Sequence, residues 1–424
     1  MPGSLYARGV NKVVTMAEET VTFGVAGTSV GQLLRRTAAN LNLNASSIES
    51  QEIIASQQVR DMRLGPRQVS GTISGELSPT SYKMFFEGLF RWRWMAGQGS
   101  VAAITDSSIG ADSGTPPYQV GTTPWEMIDL ASQTVNYAAV GLRIGDVVRV
   151  SGLTGNISEY NNSNVQIVGF NVGGNVAVLN GGLPAWNSTT INPQTAVSVY
   201  VPGFKLIMPA NNQQLLSYTF EEWYSDIARS QVFTGCRVTQ ISLTIPASGF
   251  VTFSASVTGQ NMVTSGNQLY TVPLPVDTDT SLTATGGQIS YNGVPLGYIT
   301  SMSLQIQADM QADPVVGSEI VPDIFQGTNS VRGSLTCFMA NDILQANFLN
   351  EVEVQIVITM TTSPNPNSGE FISINLPRVK LASSTKTDSD KAISRSFNFM
   401  ALERCDGNGW YDQTTIAVID STSY

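Results

Sequence analysis

Apolar and polar residues alternate along much of the chain with a period of two. Ile241, Leu243 and Ile245 do so, as do Val251, Phe253, Ala255 and Val257. The pattern returns at Met302, Leu304 and Ile306 and at Val352, Val354, Ile356 and Ile358, with mostly polar residues between. Such runs are half-buried strands, one face packed and one face wet. Helical periodicity is scarce. Its best instance is 79–90, where Ser78 stands as the N-cap and Pro79 occupies a position at which a missing N–H costs nothing. The pattern predicts a mainly β chain.

One block of this pattern occurs twice. Val69-Ser-Gly-Thr-Ile-Ser-Gly-Glu-Leu-Ser-Pro-Thr-Ser-Tyr-Lys-Met-Phe-Phe86 is matched by Val331-Arg-Gly-Ser-Leu-Thr-Cys-Phe-Met-Ala-Asn-Asp-Ile-Leu-Gln-Ala-Asn-Phe348. Each runs V-x-G-x-[IL] on alternating positions and then a capped helix, with equal spacing from Gly71 to Phe86 and from Gly333 to Phe348. The flanks match in the same order. Thr37-Ala-Ala-Asn-Leu-Asn-Leu-Asn mirrors Thr300-Ser-Met-Ser-Leu-Gln-Ile-Gln, and Glu52-Ile53 mirrors Glu319-Ile320. Downstream, Arg237-Val238 and the strand from Phe250 mirror Arg378-Val379 and the strand from Ala392. Ordered self-similarity of this kind predicts a duplicated core.

The first copy is interrupted where the second needs only a short connection. Inside the interruption, four short alternating runs lie at 141–152, 161–170, 175–179 and 197–201, separated by Gly and Asn turns. They predict a small closed β-barrel. The preceding stretch, 97–133, is rich in Gly, Ser and Pro and reads as a linker. The expected organisation is a discontinuous first core over 1–96 and 205–270, the linker 97–133, the inserted barrel 134–204 and a second core over 271–424. The 424 residues suit two or three domains of ~150 residues.

Composition narrows the function. Charged residues are 13% of the chain, about half the usual ~25%. The net charge is −10, from 22 Lys and Arg against 32 Asp and Glu. The acidic excess lies wholly in 101–424, because 1–100 is net basic. An acidic chain is poorly suited to gripping phosphates. No run approaches a membrane-spanning length, and the N-terminus, with Arg8, Lys12, Glu18 and Glu19, lacks the apolar core of a signal peptide.

There are no histidines. Histidine-based nucleophile systems and histidine-ligated metals are thereby excluded. Cys236, Cys337 and Cys405 are widely spaced and odd in number, which suits a reducing birthplace. They read as small core residues. Gly27-Thr-Ser-Val-Gly31 matches a nucleophile elbow but has no base to serve it. Asp277-Thr-Asp-Thr-Ser and Asp406-Gly-Asn-Gly-Trp-Tyr-Asp412 have oxygen-rich spacing; Leu282 stands where a calcium loop needs glycine in the first, and a turn is the default for both. Arg91-Trp-Arg-Trp94 is expected as a strand with its tryptophans buried and its arginines outward. Glu221-Glu222 and Glu351/Glu353 are expected to face solvent or a lumen, since no other general-acid machinery accompanies them. No enzyme, cofactor or metal is expected.

Three segments carry a family resemblance: Ser50-Gln-Glu-Ile-Ile, the Val69–Tyr82 strand–helix junction, and Thr234-Gly-Cys-Arg-Val-Thr-Gln-Ile-Ser-Leu243. They resemble the tail tube proteins of long-tailed, siphovirus-like bacteriophages. The inserted Gly145–Gly152 and Asn161–Val168 runs are similar to a barrel inserted in some of them. The resemblance implies tail-tube-type β-sandwich cores, each with one flanking helix, that join edge to edge into rings around one continuous barrel. Rings stack helically into a hollow virion tube through which DNA passes without specific binding. Partners would be further copies of the chain and the tail terminator, tape measure and baseplate proteins, with synthesis in the host cytoplasm. Most members carry one core and form hexamers, so a duplicated chain favours a homotrimer of pseudo-hexameric shape. The alternatives are another β-rich baseplate or injection-machine component and an all-β carbohydrate-binding or adhesin module.

The loops between the first two repeated strands carry opposite charge. The first holds Arg60, Arg63 and Arg67 against Asp61; the second, 301–331, holds Asp309, Asp313, Glu319 and Asp323 with no Lys or Arg. These seven residues are the expected contacts between rings or neighbouring chains. A net-negative wall is expected to let DNA slide by repelling its phosphates.

Overall fold

The computed structural model describes all residues except 1–5, 29, 54, 57, 97–100, 105–107, 112–126, 132–134, 156–157, 159–160, 171–175, 181–196, 277, 366, 389–391, 406–410 and 423–424. Ser29 of the G-x-S-x-G run, Asp277, and 406–410 of the second oxygen-rich loop therefore lie outside the described residues. The chain is mainly β. Its principal elements are β1 (Lys12–Glu18), β2 (Ala38–Glu49), β3 (Met62–Glu76), α1 (Lys83–Phe90), β4 (Val101–Ile104), β5 (Ser108–Ala111), β6 (Met127–Ala131), β7 (Val147–Ser151), β8 (Asn164–Phe170), β9 (Val176–Asn180) and β10 (Val197–Tyr200). The chain continues with β11 (Phe204–Ile207), β12 (Tyr218–Tyr224), β13 (Arg229–Pro246), β14 (Thr252–Gly259), β15 (Asn261–Ser265), β16 (Gln288–Tyr291), β17 (Ile299–Gln311), β18 (Phe325–Phe338) and α2 (Ile343–Leu349). Last come β19 (Val354–Thr361), β20 (Phe371–Thr387), β21 (Ser394–Ala401) and β22 (Ala417–Asp420).

Eight of these strands form one antiparallel run, in the order β2-β3-β14-β13-β17-β18-β21-β20. Ala38, Ser74, Ser254, Ser242, Gln305, Arg332, Met400 and Lys380 stand in register across it. The first four strands and the last four have the same pairing order, and two irregularities recur at corresponding places. One follows Ala45 in β2 and Ala308 in β17. The other lies between Val238 and Gln240 in β13 and between Leu381 and Ser383 in β20. Counted through the pairing, Arg237 corresponds to Lys380 rather than to Arg378. The sequence match is thus two residues out, an even slip that keeps every side chain on its face.

The glycine of V-x-G-x-[IL] has a packing reason. A Cβ at Gly71 would strike the Asn40 carbonyl on β2, and one at Gly333 would strike the Phe399 ring and the Ser303 carbonyl. On one face the eight strands bury Ile241, Leu243, Leu304, Ile306, Val331, Leu335, Phe397 and Phe399. The long strands β13 and β20 carry this core into a second layer. There β13 pairs with β12 and β15, β12 with β1, and β20 with β19 and β22. Strand β11 pairs with β22 and with the short strand Met95–Ala96, so it ties the two halves together.

Helix α1 begins at Lys83, four residues later than the pattern predicts. Thr80 has φ 68, a conformation that helices exclude, and its N–H donates to Asp420 Oδ2 at 2.8 Å. Ser78 bonds Ser81 at 2.7 Å instead of capping. The helix is buried by Phe85, Phe86, Leu89 and Phe90, and Tyr82 stacks on Phe253 at 4.1 Å. Arg91 ends it with φ 61, so Arg91-Trp-Arg-Trp94 is a helix cap and an extended connection rather than a strand. Its counterpart α2 buries only Leu344.

The inserted segment forms a separate seven-stranded sheet, β4-β10-β7-β8-β9-β6-β5. Among the described residues β4 and β5 do not pair, so the sheet is open where a closed barrel is expected. Three of its strands come from 97–133, the expected linker. Strands there, such as Met127–Ala131 beside Val176–Asn180, supply paired backbone that a linker would leave to water. The sheet is also docked rather than free. Its apolar cluster, built on Val148, Ile167 and Val199, takes in Phe371 of β20 and Ile419 of β22. Gln355 and Asn375 donate to the Ile144 carbonyl at 3.2 and 3.0 Å, and Ser290 donates to Gln166 at 2.7 Å.

Candidate assembly interface

A strand in mid-sheet satisfies backbone groups on both sides, and an edge strand leaves one side open. Among the described residues β2 pairs only with β3, and the 381–387 half of β20 pairs only with β21. These are the two ends of the eight-stranded run. The matching half of β13 is not open: Gln240 to Pro246 pair with Gln307 to Ser301 of β17. The internal seam therefore shows what the open ends lack. Through the corresponding bulges, Ser383, Ser384, Thr385, Lys386 and Thr387 of β20 take the places of Gln240 to Thr244, and Asn44 to Asn40 of β2 take those of Gln307 to Ser303.

The face opposite the core is neutral and polar. Asn40, Asn42 and Asn44 lie at one end, Ser383 and Thr385 at the other, with Ser, Thr and Gln between. Its hydroxyls are tied to one another across strands. Ser74 bonds Ser254 at 3.0 Å, and at the corresponding place Thr336 bonds Ser396 at 2.9 Å. Ser303 bonds Ser334 at 2.8 Å, Asn44 donates to Ser70 at 2.7 Å, and Asn398 donates to Ser383 at 2.9 Å. Across the register row through Ser74 and Ser242 the only charges are Arg332 and Lys380. That row carries no carboxylate.

Several carboxylates are buried. Glu221 and Glu222 are 0% and 1% exposed, contrary to the outward placement expected for them. Both faces of β12 are covered, so alternation there does not separate wet from dry. Glu221 accepts from Ser230 Oγ at 2.6 Å and from the N–H of Leu269 and of Tyr270 at 2.6 and 2.9 Å. Glu222 pairs with Lys12 at 2.6 Å. Glu19 accepts from Ser217, Thr219 and the Gly235 N–H at 2.8, 2.9 and 2.8 Å. Glu353, by contrast, is exposed as expected and its carboxyl is held low by the Arg378 guanidinium. In Arg91-Trp-Arg-Trp94, Arg91 is buried, contrary to expectation, while the Arg93 side chain stays 40% exposed. Arg91 donates to Gln213, the Gly327 carbonyl and Asn329 at 2.8, 2.7 and 3.0 Å, and Arg93 pairs with Glu18 and Glu87. Cys236 and Cys337 are buried and burial raises both thiols, whereas Cys405 is exposed and not the core residue expected.

The hairpins β2–β3 and β17–β18 outrun their neighbours: β14 stops opposite Val69 while β3 starts at Met62, and β21 stops opposite Val331 while β18 starts at Phe325. The seven charged residues singled out from the sequence lie on these arms. Arg67 pairs with Glu319 at 3.0 Å, and Asp323 pairs with Arg237 at 2.9 Å, both within one chain. Arg60 and Arg63 have exposed partners, Glu52 at 3.6 Å and Asp61 at 3.5 Å. Asp313 accepts from Gln311 at 2.9 Å, and Asp309 is exposed at the β17 bulge. Opposite charges on the two loops do meet at Arg67, in a pair at the surface of one chain.

A wide antiparallel sheet with an open strand at each end, a polar face and projecting hairpins has the build of a structural subunit. The comparisons agree. The model of the phage tail tube protein family matches residues 9–401, nearly the whole chain, and the chain belongs to that family. No curated protein matches it. It is a structural tail tube protein of a phage virion. No helix among the described residues is long and apolar enough to cross a membrane.

Proposed function

We propose that the chain is a duplicated tube core, three copies of which close a ring by pairing β20 of one chain with β2 of the next. The observation that carries this is the internal seam, where β13 pairs with β17 over 240–246 and 301–307 while the corresponding strands are open. Repeating that junction twice per chain places six cores around an axis with three chains. Three eight-stranded runs close more strands than the ~16–18 that already leave a water-filled channel in porins. The polar face lines that channel. Its hydroxyls are occupied by one another and it bears few cations, so passing DNA meets neither free donors in quantity nor a phosphate trap.

The outer seam is more polar than the inner one. Ser384 and Lys386 stand where Ile241 and Leu243 do. A charged, polar edge keeps a free chain from indiscriminate strand pairing before assembly. The projecting arms, with Arg60, Arg63, Asp309 and Asp313, are the contacts between stacked rings, and the role calls for no catalysis. The rings would be capped by terminator and baseplate proteins, enclose a tape measure, and be made in the host cytoplasm. The docked inserted sheet lies outside the bore.

Replacing Asn42 and Thr385 by cysteine tests the seam, because they correspond to Gln305 and Ser242, which face each other directly. Mild oxidation of assembled rings is expected to give covalent chains ending at a closed trimer. Absence of any cross-linked species in rings that do form would refute the pairing.

A further inference from the structure

Among the described residues an ion pair ties β13 to the β17–β18 loop, and its two positions recur at the open ends. Arg237, 5% exposed in the middle of β13, pairs through Nη2 with Asp323 Oδ1 at 2.9 Å and also donates to the Ile324 carbonyl. Asp323 belongs to the β17–β18 loop, so the pair fastens that hairpin to the strand beside it. Arg237 lies opposite Thr258 of β14, and Lys380 lies opposite Met400 of β21. Thr258 and Met400 correspond, because each adjoins the residue, Val257 or Phe399, that faces the motif glycine, Gly71 or Gly333. Lys380 is thus the cation at the matching place in β20.

Asp61 matches Asp323 just as closely. Val59-Arg-Asp-Met62 parallels Val321-Pro-Asp-Ile324 immediately before the two arm strands. The carboxylates even hold the same local bond: Asp61 Oδ1 accepts from the Met62 N–H at 2.9 Å, and Asp323 Oδ1 from the Ile324 N–H at 2.8 Å. Asp323 has its arginine, but the Asp61 side chain is 62% exposed, with Arg63 as its ion partner at 3.5 Å. Lys380 is 39% exposed and touches Glu353 at 3.7 Å, a carboxylate held more closely by Arg378 at 2.7 Å. Both groups are accessible, loosely held and opposite in charge.

We propose that Lys380 of one chain pairs with Asp61 of the next, so that each hairpin arm is locked to the preceding chain as the β17–β18 arm is locked to β13 within the chain. This rests on the ring reading above and names its chain-to-chain lock. The sign of each charge is the one that the internal pair has, with lysine in place of arginine. The partner is a second copy of this chain, since only that brings a β2–β3 arm alongside β20 in the register of the internal seam. Burial at the seam strengthens the attraction between the two charges and also strips their hydration, so reversing either one leaves the other buried against a like charge.

The experiment uses the full chain in three variants, Asp61→Lys, Lys380→Asp and the double exchange. Rings and tubes are counted by negative-stain microscopy over a concentration series, with thermal unfolding to confirm that each variant folds. Each single exchange is expected to raise the concentration needed for rings about tenfold, and the double exchange to bring it back near that of the unaltered chain. Singles that assemble like the unaltered chain, or a double no better than the worse single, would overturn the pair. If rings in those singles still oxidise to closed trimers through cysteines at 42 and 385, edge pairing survives and the lock alone fails. If the unaltered chain forms no rings, the ring reading itself fails.

Discussion

A proline at one of two adjacent positions in β2 will leave the chain folded and unable to close a ring. Neighbouring residues of a strand point their N–H groups to opposite edges. Of Asn42 and Leu43, one therefore donates towards β3 and the other towards the open side. Proline at the outward position removes a donor that no other described strand uses and thrusts its ring into the path of the incoming strand. The monomer should unfold within a few degrees of the unaltered chain, while sedimentation shows no rings at any concentration tested. Proline at the inward position breaks the β2–β3 ladder, leaves a β3 carbonyl unpaired and should cost ~1–3 kcal/mol of stability. If both variants make normal rings, β2 is not a ring edge.

Replacing Lys205 by methionine should produce the largest loss of stability of any single change considered. Its Nζ lies 2.8 Å from Asp146 Oδ1 and 2.6 Å from Asp412 Oδ2, with Arg143 bonding Asp412 at 3.1 Å. Burial opposes a charge on Lys205, but the two carboxylates outweigh it and hold the ammonium protonated. Asp146 is 0% exposed and belongs to the inserted segment; Lys205 is on β11 and Asp412 near the C-terminus. Truncating the lysine strands a buried carboxylate, which costs ~3–5 kcal/mol. Denaturant unfolding should show that loss, and Lys205→Met combined with Asp146→Asn should recover a good part of it. An unchanged midpoint for Lys205→Met would mean that the inserted sheet is not held to the core by this cluster.

The strands were the most legible part of the chain because each shows one face to the core. Ile241, Leu243 and Ile245 alternate and are buried while Ser242 and Thr244 are not fully covered, and the register follows. The repeated block was equally readable, since Gly71 and Gly333 are required by close strand packing. Alternation failed where both faces are covered, which hid the burial of Glu221 and Glu222. Helix α1 was mis-started because a capping serine and a proline are local cues, whereas Thr80 is held in its turn by Asp420, 340 residues away. The docking of the inserted sheet rests on Phe371 and Ile419, which nothing near 134–204 announces. Of the proposed assembly surface, the charged arms could be found from the sequence. The open edges could not, because being an edge is a property of which strands have partners. Asn40, Asn42 and Asn44 differ little in composition from Ser303, Gln305 and Gln307, yet only the latter set is paired on both sides.

The number of chains in a ring tests the account most directly. Native mass measurement on isolated rings, or symmetry counted in end-on views of short tubes, separates the possibilities without altering any residue. Each chain offers one internal seam and one pair of open edges, so the account predicts three chains per ring. A ring of six chains would contradict it, because the β13–β17 seam would then not be the template for the junction between neighbours.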